Sequence, residues 1–413
     1  MNINIDAITS DQGTLSIQAL GDTSDSSYTV MNMGPQHPST HGVLRLVLTL
    51  DGERVVRGEP DVGYLHTGIE KQAEVKTYQQ ALTLTDRMDY LSPLNNNLGY
   101  ALAVEKLLGA EIPERVSHIR VLLCELSRLA SHLVWLGTSG LDAGAMSTFL
   151  YCFQEREKIL DLFETLSGVR MMTSYITVGG LMADLPDGFL DQVRRYLDGF
   201  PRELEMYHGL LTGNSIWLER TKGIGVLSRQ AAIEYGCSGA VARASGIDWD
   251  VRRDLPYSAY ADYEFKVPLR SEGDSYARYL VRMEEMEQAY KLCRQALDKI
   301  APSGPYRTSN RKIVPPPKWE ISVSMEALIH HFKLFTEGFS PPPGEVYQRI
   351  ESPKGELGFH MVSDGSNKPY RMRVRTPSLS HVQVLPVLLK DVLLADVVVV
   401  LASVDFVLGD VDR

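Results

Sequence analysis

The chain of 413 residues is long enough to bury a large core, and its composition, 44% hydrophobic and 23% charged, is typical of a globular protein. Its formal net charge of −10 argues against nucleic acid as a main partner, because no face rich in Lys and Arg is apparent to neutralise phosphates. Charged residues interrupt the apolar segment 382–408, so we expect no segment that spans a bilayer. The N-terminal residues lack a signal-peptide pattern, so any membrane association is expected to run through a partner.

The cysteines predict neither a disulfide framework nor a metal site. They lie far apart, form no C-x-x-C pair, and three of the four fall within helical patterns. Buried free thiols in a reducing compartment are therefore expected at Cys124, Cys152, Cys237 and Cys293.

A short loop near the N-terminus presents two histidines. The segment GPQHPSTHG, residues 34–42, holds His37 and His41 between glycines and prolines, as loops that present side chains often do. A metal held by this pair is disfavoured, because His-x-x-x-His aligns both rings on one face only in a helix, and Pro38 and Gly42 argue against a helix.

Strands are expected on both sides of that loop. One or two strands within residues 14–33 precede it, and two apolar runs that flank Asp51-Gly52 follow it. An Asp-Gly pair between apolar runs is a strong signal for a β-hairpin, so His41 is expected at the root of this hairpin.

Helical periodicity dominates the middle of the chain. Apolar residues recur every three or four positions in alternation, which is typical of the seam of a helical bundle. The predicted helices cover residues 94–108, 113–137, a segment around 149–163, 187–213, 228–236 and 275–300. Arg156 falls on the apolar stripe of the third of these helices, and a buried arginine is expected to have a carboxylate partner.

The last quarter of the chain is expected to mix helix and sheet. Residues 301–318 contain three consecutive prolines and form the best candidate for a linker. A short helix at 324–337 and three strands that form an antiparallel meander follow. The fold class predicted is α+β, a central helical bundle (67–300) between an N-terminal β-rich element (1–66) and a C-terminal α+β region (301–413).

Several common chemistries are absent from the sequence. No G-x-G-x-x-G follows a strand, and the P-loop, G-x-S-x-G and H-E-x-x-H motifs are missing. The residues that remain as candidates for catalysis or binding are His37, His41, Asp89, Tyr90 and Asp142, together with the acidic C-terminus. Spacing alone interprets His41 and Tyr90 as structural residues and leaves Asp142 as a possible helix N-cap ahead of Ala145.

Seven motifs in order resemble one family. The segments GPQHPSTHGVLR, GYLHTGIEK, DRMDYL, ALAVEKLLG, LDAGAM, ADLP and SVDFVLGDVDR resemble the D subunit of bacterial NADH:quinone oxidoreductase, respiratory complex I, from about residue 30 to the last residue. This family is similar to the large subunit of [NiFe] hydrogenases, so the resemblance implies a related fold.

Comparison with hydrogenases concerns two segments. Where a hydrogenase carries its first cysteine pair, this chain reads Arg87-Met88-Asp89-Tyr90-Leu91-Ser92, and where it carries the last pair, the chain reads Asp405-Phe406-Val407-Leu408-Gly409-Asp410. Nickel and iron need soft thiolate ligands, so a hydrogenase function is excluded. The pocket that holds the metals in a hydrogenase is then free to bind another ligand.

The resemblance implies that this ligand is the quinone headgroup. It carries His41 and Tyr90 over as hydrogen-bonding partners of the two quinone oxygens, because an imidazole and a phenol are donors that can also release protons. Asp142 matches the carboxylate that hydrogen-bonds the histidine. His37, Arg87 and Val407 are expected to line the cavity.

The resemblance also implies the electron donor, since this chain has no cysteine set for a cluster. The donor is the [4Fe-4S] cluster of a neighbouring small subunit of the B type, packed near GYLHTG. Many family members carry arginine where this chain has Thr67 and histidine where it has Met172, so the cluster potential here is expected to be lower or less dependent on pH, as would suit menaquinone.

The remaining implied partners are a C-type subunit, other peripheral-arm subunits and the membrane subunit of the quinone channel, on the cytoplasmic side of the cell inner membrane. The predicted function is thus a peripheral-arm subunit that reduces quinone and couples this to proton pumping. Two alternatives stay open: a non-catalytic scaffold, and the same role in a related complex that another electron donor feeds.

Overall fold

The computed structural model describes residues 17–19, 28–36 and 42–413. It combines helices with three antiparallel sheets, so the α+β class and the bundle with flanking β elements are confirmed. Where the boundaries between the three predicted regions fall stays a prediction.

The N-terminal sheet has four strands in sequential order, β1 to β4. The predicted hairpin forms, with Leu48 opposite Met31 on one side and Gly58 on the other. Leu44, Leu46 and Leu48 are fully buried, because alternation places every second side chain of the strand on the core face. The strands are β1 (Ile17–Ala19), β2 (Thr29–Met33), β3 (Arg45–Asp51) and β4 (Arg54–Asp61).

Helices make up the centre of the molecule, as predicted. A single π-helical turn (His208–Thr212), a 3₁₀ turn (Tyr260–Asp262) and a two-stranded ribbon of β5 (Ile176–Thr177) and β6 (Gly180–Leu181) lie among them. The helices are α1 (Ile69–Ala73), α2 (Tyr78–Thr85), α3 (Pro93–Leu108), α4 (Glu114–Asp142), α5 (Met146–Ser167), α6 (Phe189–Tyr207), α7 (Ser215–Thr221), α8 (Arg229–Glu234), α9 (Gly239–Ala244), α10 (Val251–Asp254) and α11 (Ser275–Lys299).

Helix α4 is the central element, since it is buried on nearly all sides and packs against α3, α5 and α11. It runs to Asp142, so its predicted end at Gly137 was wrong. The glycines near its end serve close packing instead: a Cβ added to Gly140 would lie 3.1 Å from Cβ of Thr148 on α5, and one on Gly137 would lie 3.2 Å from Cβ of Cys152.

The C-terminal region contains the predicted meander and a set of short helices. The meander packs on α3 through buried side chains such as Ile350 and Phe359. The linker candidate, residues 301–318, packs against β6 with Ile313 and Val314 buried. The elements are α12 (Lys318–Ile321), α13 (Met325–Thr336), β7 (Gly344–Ser352), β8 (Gly355–Ser363), β9 (Arg371–Arg375), α14 (Pro377–Gln383), α15 (Leu385–Leu388), α16 (Leu394–Val404) and α17 (Leu408–Asp412).

All four cysteines are buried free thiols, as predicted. Burial raises the pKa of each thiol, to about 11 for Cys237, so they behave as small apolar side chains.

A cluster of buried charges joins the helices to the meander. Arg243 on α9 contacts Glu285 on α11 at 2.5 Å and Glu351 on β7 at 2.8 Å. Arg252 on α10 contacts Glu125 on α4 at 3.2 Å. Each of these side chains is at most 1% exposed, so a charge left without its partner would be strongly destabilising.

Glu285 is central to this cluster, because it accepts hydrogen bonds from both Arg243 and His132. Burial alone would raise the pKa of Glu285, but Arg243 and His132 lower it well below the ordinary value of 4.5. Its contribution to stability is therefore present above pH 4.5 and is lost as the pH falls further.

We predict that Glu285→Gln lowers the free energy of unfolding at neutral pH by about 3 kcal/mol, because it removes the closest carboxylate from the buried guanidinium of Arg243 and leaves that charge under-compensated. Urea denaturation of the purified chain measures this. Glu284→Gln is the matched control, since its ion pair with Arg270 is part-exposed and is expected to contribute less than about 1 kcal/mol. Equal losses in both variants would contradict the prediction.

Candidate functional site

Residues 87–92 and 405–410, the two segments compared with hydrogenases in the sequence, touch each other. One follows α2 and the other links α16 to α17. A Cβ added to Gly409 would lie 2.5 Å from the carbonyl oxygen of Met88, 2.8 Å from that of Arg87 and 3.2 Å from Cδ1 of Tyr90. Only glycine allows this approach, because any other residue would push the two backbones apart.

Tyr90 lies at this contact, half-buried, with its ring against Gly409. Burial, and after it the neighbouring Asp89, raises the pKa of the Tyr90 phenol above its ordinary value. The hydroxyl group is thus protonated at neutral pH. Within the described part of the chain it makes no hydrogen bond, so it is available as a donor to a ligand.

Buried carboxylates and one lysine surround the same contact. Lys354, from the turn between β7 and β8, donates to Oδ1 of Asp405 at 2.5 Å, and both are nearly inaccessible to solvent. Asp89 accepts from Oγ of Ser92 at 2.5 Å. Burial raises the pKa of Asp89, although Lys354 acts in the opposite direction.

Asp410 is the most perturbed of these acids. It is 1% exposed and accepts a hydrogen bond from the backbone N–H of Ser378 at 3.2 Å. Burial, followed by the charge of Asp89, raises the pKa of Asp410 to about 7. At neutral pH this carboxyl therefore exchanges a proton readily. Sequence reasoning noted the acidic C-terminus but missed Lys354, whose turn carries no recognisable motif.

The structure brings the backbone of Arg87 to the same contact, and Val407 precedes Gly409 by two positions in the other segment. Val407 is buried and its N–H lies 3.4 Å from Oγ of Ser378. The side chain of Arg87 instead points outward: it is 59% exposed and donates to the carbonyl oxygen of Thr83. Only its main chain contributes to the contact with Gly409.

Asp142 is the last residue of α4 and is half-buried. Burial raises the pKa of its carboxyl to about 6. The alternative role as an N-cap is not observed, because Ala145 occupies the N-cap position of α5 and no side-chain cap is present there.

His37 and His41 lie outside the described residues, whereas β2 precedes them and β3 follows them in the chain. Leu44, Leu46 and Met33 share one hydrophobic core with Phe406 and Leu408 of the C-terminal segment. Further along the chain, Asp412 accepts from the backbone N–H of Gly63 at 2.8 Å and of Leu65 at 2.7 Å. The N-terminal sheet is thereby fixed to the segment that carries Val407 and Gly409.

The carboxylate partner predicted for Arg156 was wrong. No ion pair joins this buried arginine to a carboxylate in the described ranges, and its Nη2 lies 3.8 Å from Sδ of Met171. The nearby Glu157 pairs with Arg170 instead. Burial lowers the pKa of Arg156 as a result.

Among the residues that the structure describes, no group of three or more His, Cys, Asp or Glu side chains is arranged to hold a metal ion. In the same residues, no helix combines the length and the apolar character that crossing a membrane requires.

Comparison with known proteins agrees with this arrangement. Residues 142–413 match the family model described as respiratory-chain NADH dehydrogenase, 49 Kd subunit. The chain is 59% identical over 386 residues to a D-type subunit of the NADH-quinone oxidoreductase of Roseiflexus sp. (strain RS-1), and the match covers 93% of each chain. It is 55% identical over 383 residues to the D-type subunit of the NADH-quinone oxidoreductase of Geotalea uraniireducens (strain Rf4), covering 93% of this chain and 98% of the relative. The chain therefore belongs to the family of the 49 Kd, or D-type, subunit of respiratory NADH-quinone oxidoreductase.

Proposed function

We propose that this chain forms the quinone-reduction site of a proton-pumping NADH:quinone oxidoreductase, together with a cluster-bearing neighbour. The observation that carries the proposal is the contact of the 87–90 and 405–410 segments at Gly409. In hydrogenases these segments carry metal-binding cysteines, and here they carry Tyr90 and Val407, which suit an organic ring with polar oxygens.

Reduction of a quinone to a quinol takes up two electrons and two protons, one proton on each carbonyl oxygen. Tyr90 supports this chemistry because its phenol is protonated, half-exposed and aimed at no partner within the described chain. It donates a hydrogen bond to one oxygen and, as that oxygen becomes basic, transfers its proton and is left as a phenolate.

His41 serves the other quinone oxygen. Its sequence position between β2 and β3 supports this role, because that sheet shares a core with Phe406 and Leu408 on either side of Val407. The imidazolium gives up its proton and becomes neutral imidazole. His37 lines the same cavity, and Arg87 lies at its edge.

Asp142 orients His41 and stabilises its charged form. Its pKa near 6 means that it is ionised at neutral pH and neutral in moderately acidic solution. Loss of the proton from His41 removes the attraction between the two, so Asp142 is the group that responds to quinone reduction.

The electrons come from a [4Fe-4S] cluster on a small subunit of the B type. An exposed apolar patch of Val62, Tyr64 and Leu65 supports a partner there, since it lies beside the segment that Asp412 fixes. The C-type subunit and the membrane subunit of the quinone channel complete the surroundings, on the cytoplasmic side of the cell inner membrane.

We predict that Tyr90→Phe lowers NADH:quinone reductase activity of membranes by one to two orders of magnitude, because it removes a proton donor. NADH:ferricyanide reductase activity of the same membranes is expected to stay unchanged, since it reports assembly and electron input. Tyr235→Phe, at an exposed tyrosine far from the site in sequence, is the matched control. Equal retention of both activities in Tyr90→Phe would favour the scaffold role.

We predict that Asp142→Asn changes the pH profile of quinone reduction. In the parent enzyme activity falls below about pH 6, because Asp142 becomes neutral and no longer holds His41 in its charged form. The variant, which has no carboxyl to titrate, is expected to be less active at neutral pH and to lack this acid limb.

Steady-state rates between pH 5 and 8 test this, with exposed Asp187→Asn as control. An acid limb near pH 6 that survives in Asp142→Asn would contradict the assignment.

A further inference from the structure

Helix α13 exposes an apolar face that none of the described residues of this chain covers. Five large apolar side chains of this helix are between 45% and 68% exposed: Met325, Leu328, Ile329, Phe332 and Phe335. We refer to these five residues as the α13 stripe. They follow one another at spacings of three, one, three and three, so they form a band about 120° wide along three turns.

The helix is attached to its own chain by a different face. Ala327 and Leu334 are buried, and they lie on the side of the helix opposite the centre of the stripe. The stripe is therefore not needed for packing within this chain. Isolated apolar side chains on a surface are ordinary, but a continuous band of this size marks an interaction site.

The exposed apolar surface continues beyond the helix. Trp319 on α12 is 70% exposed, and Val323 in the turn before α13 is 76% exposed. With the α13 stripe they form one exposed apolar surface that extends from α12 to the end of α13, and such extended surfaces mark interaction sites. At the other end a groove of about 560 Å³, lined by Phe335, Phe339 and Met182 among others, opens beside the stripe.

The charges around the stripe argue for a protein partner rather than a lipid surface. A helix that lies on a membrane has a polar face rich in Lys and Arg, whereas the flank of α13 carries Glu326 and Glu337 beside Lys333. Charges of both signs are typical of the polar rim of a protein interface. A second copy related by two-fold symmetry would place stripe against stripe and leave the neighbouring groove unfilled.

We propose that the α13 stripe docks the apolar face of a helix from another subunit of the same oxidoreductase, with the groove receiving one of its side chains. This rests on membership of the family of a multisubunit enzyme and is independent of the quinone-site proposal. Packing one helix across another covers two to three turns, which matches the length of the stripe.

The test is site-specific photo-crosslinking in the assembled enzyme. Phe332→p-benzoylphenylalanine, in the middle of the stripe, is irradiated in native membranes and the adducts are identified by mass spectrometry. One other subunit of the enzyme is expected as the dominant adduct. His330→p-benzoylphenylalanine, exposed on the same helix but off the stripe, is the control and is expected to give at least about tenfold less of this adduct.

Crosslinks to lipid, to a second copy of the chain, or to nothing at all would overturn the proposal. A companion variant, Met325→Ser with Phe332→Ser, changes only exposed side chains and is expected to fold. It should lower retention of the chain in the purified enzyme by about tenfold or more, because the centre of the interface loses its apolar anchors.

Unchanged retention of the serine variant would also overturn the proposal. Tyr90→Phe, in contrast, is expected to leave subunit content unchanged while quinone reduction falls. The failure of either proposal is thus recognised without reference to the other.

Discussion

The ion pairs buried around Glu285 are the interaction on which the remaining structure depends. In a medium of low dielectric constant an ion pair is stable only with close geometry, so Arg243 fixes the distance between α9, α11 and β7. The same helix α11 carries Arg282 one turn before Glu285. Arg282 lies 3.7 Å from Asp405 and donates to the carbonyl oxygen of Ser403 at 2.8 Å. These contacts join helix α11 of the bundle directly to the C-terminal segment.

This connection explains how a helical bundle holds a site built from loops. Arg282 and Lys354 both contact Asp405 at the end of α16, and Gly409 then meets the backbone of Met88. Tyr90 belongs to no helix, but these contacts hold the backbone beside it in place. Precise placement of a donor matters because proton transfer requires hydrogen-bond distance.

The buried acids at the contact of these two segments have a chemical consequence of their own. Asp89, Asp405 and Asp410 are all buried, and the lysine that contacts one of them is Lys354. Burial raises the pKa of Asp89 and of Asp410, and the charge of a neighbouring carboxylate adds to the shift of each.

The sequence by itself determined the local elements and the family. Alternation and the Asp51-Gly52 pair predicted the hairpin, spacing in threes and fours predicted the bundle, and the motif order pointed to the family, all of which were confirmed. The tertiary structure decided what depends on distant contacts. Gly409 meets Met88 across more than 300 positions, α4 passes its predicted end because Gly137 packs on α5, and Arg156 has no carboxylate partner in the described chain. Periodicity reports which face of an element is buried, but it carries no information about which residues that face meets.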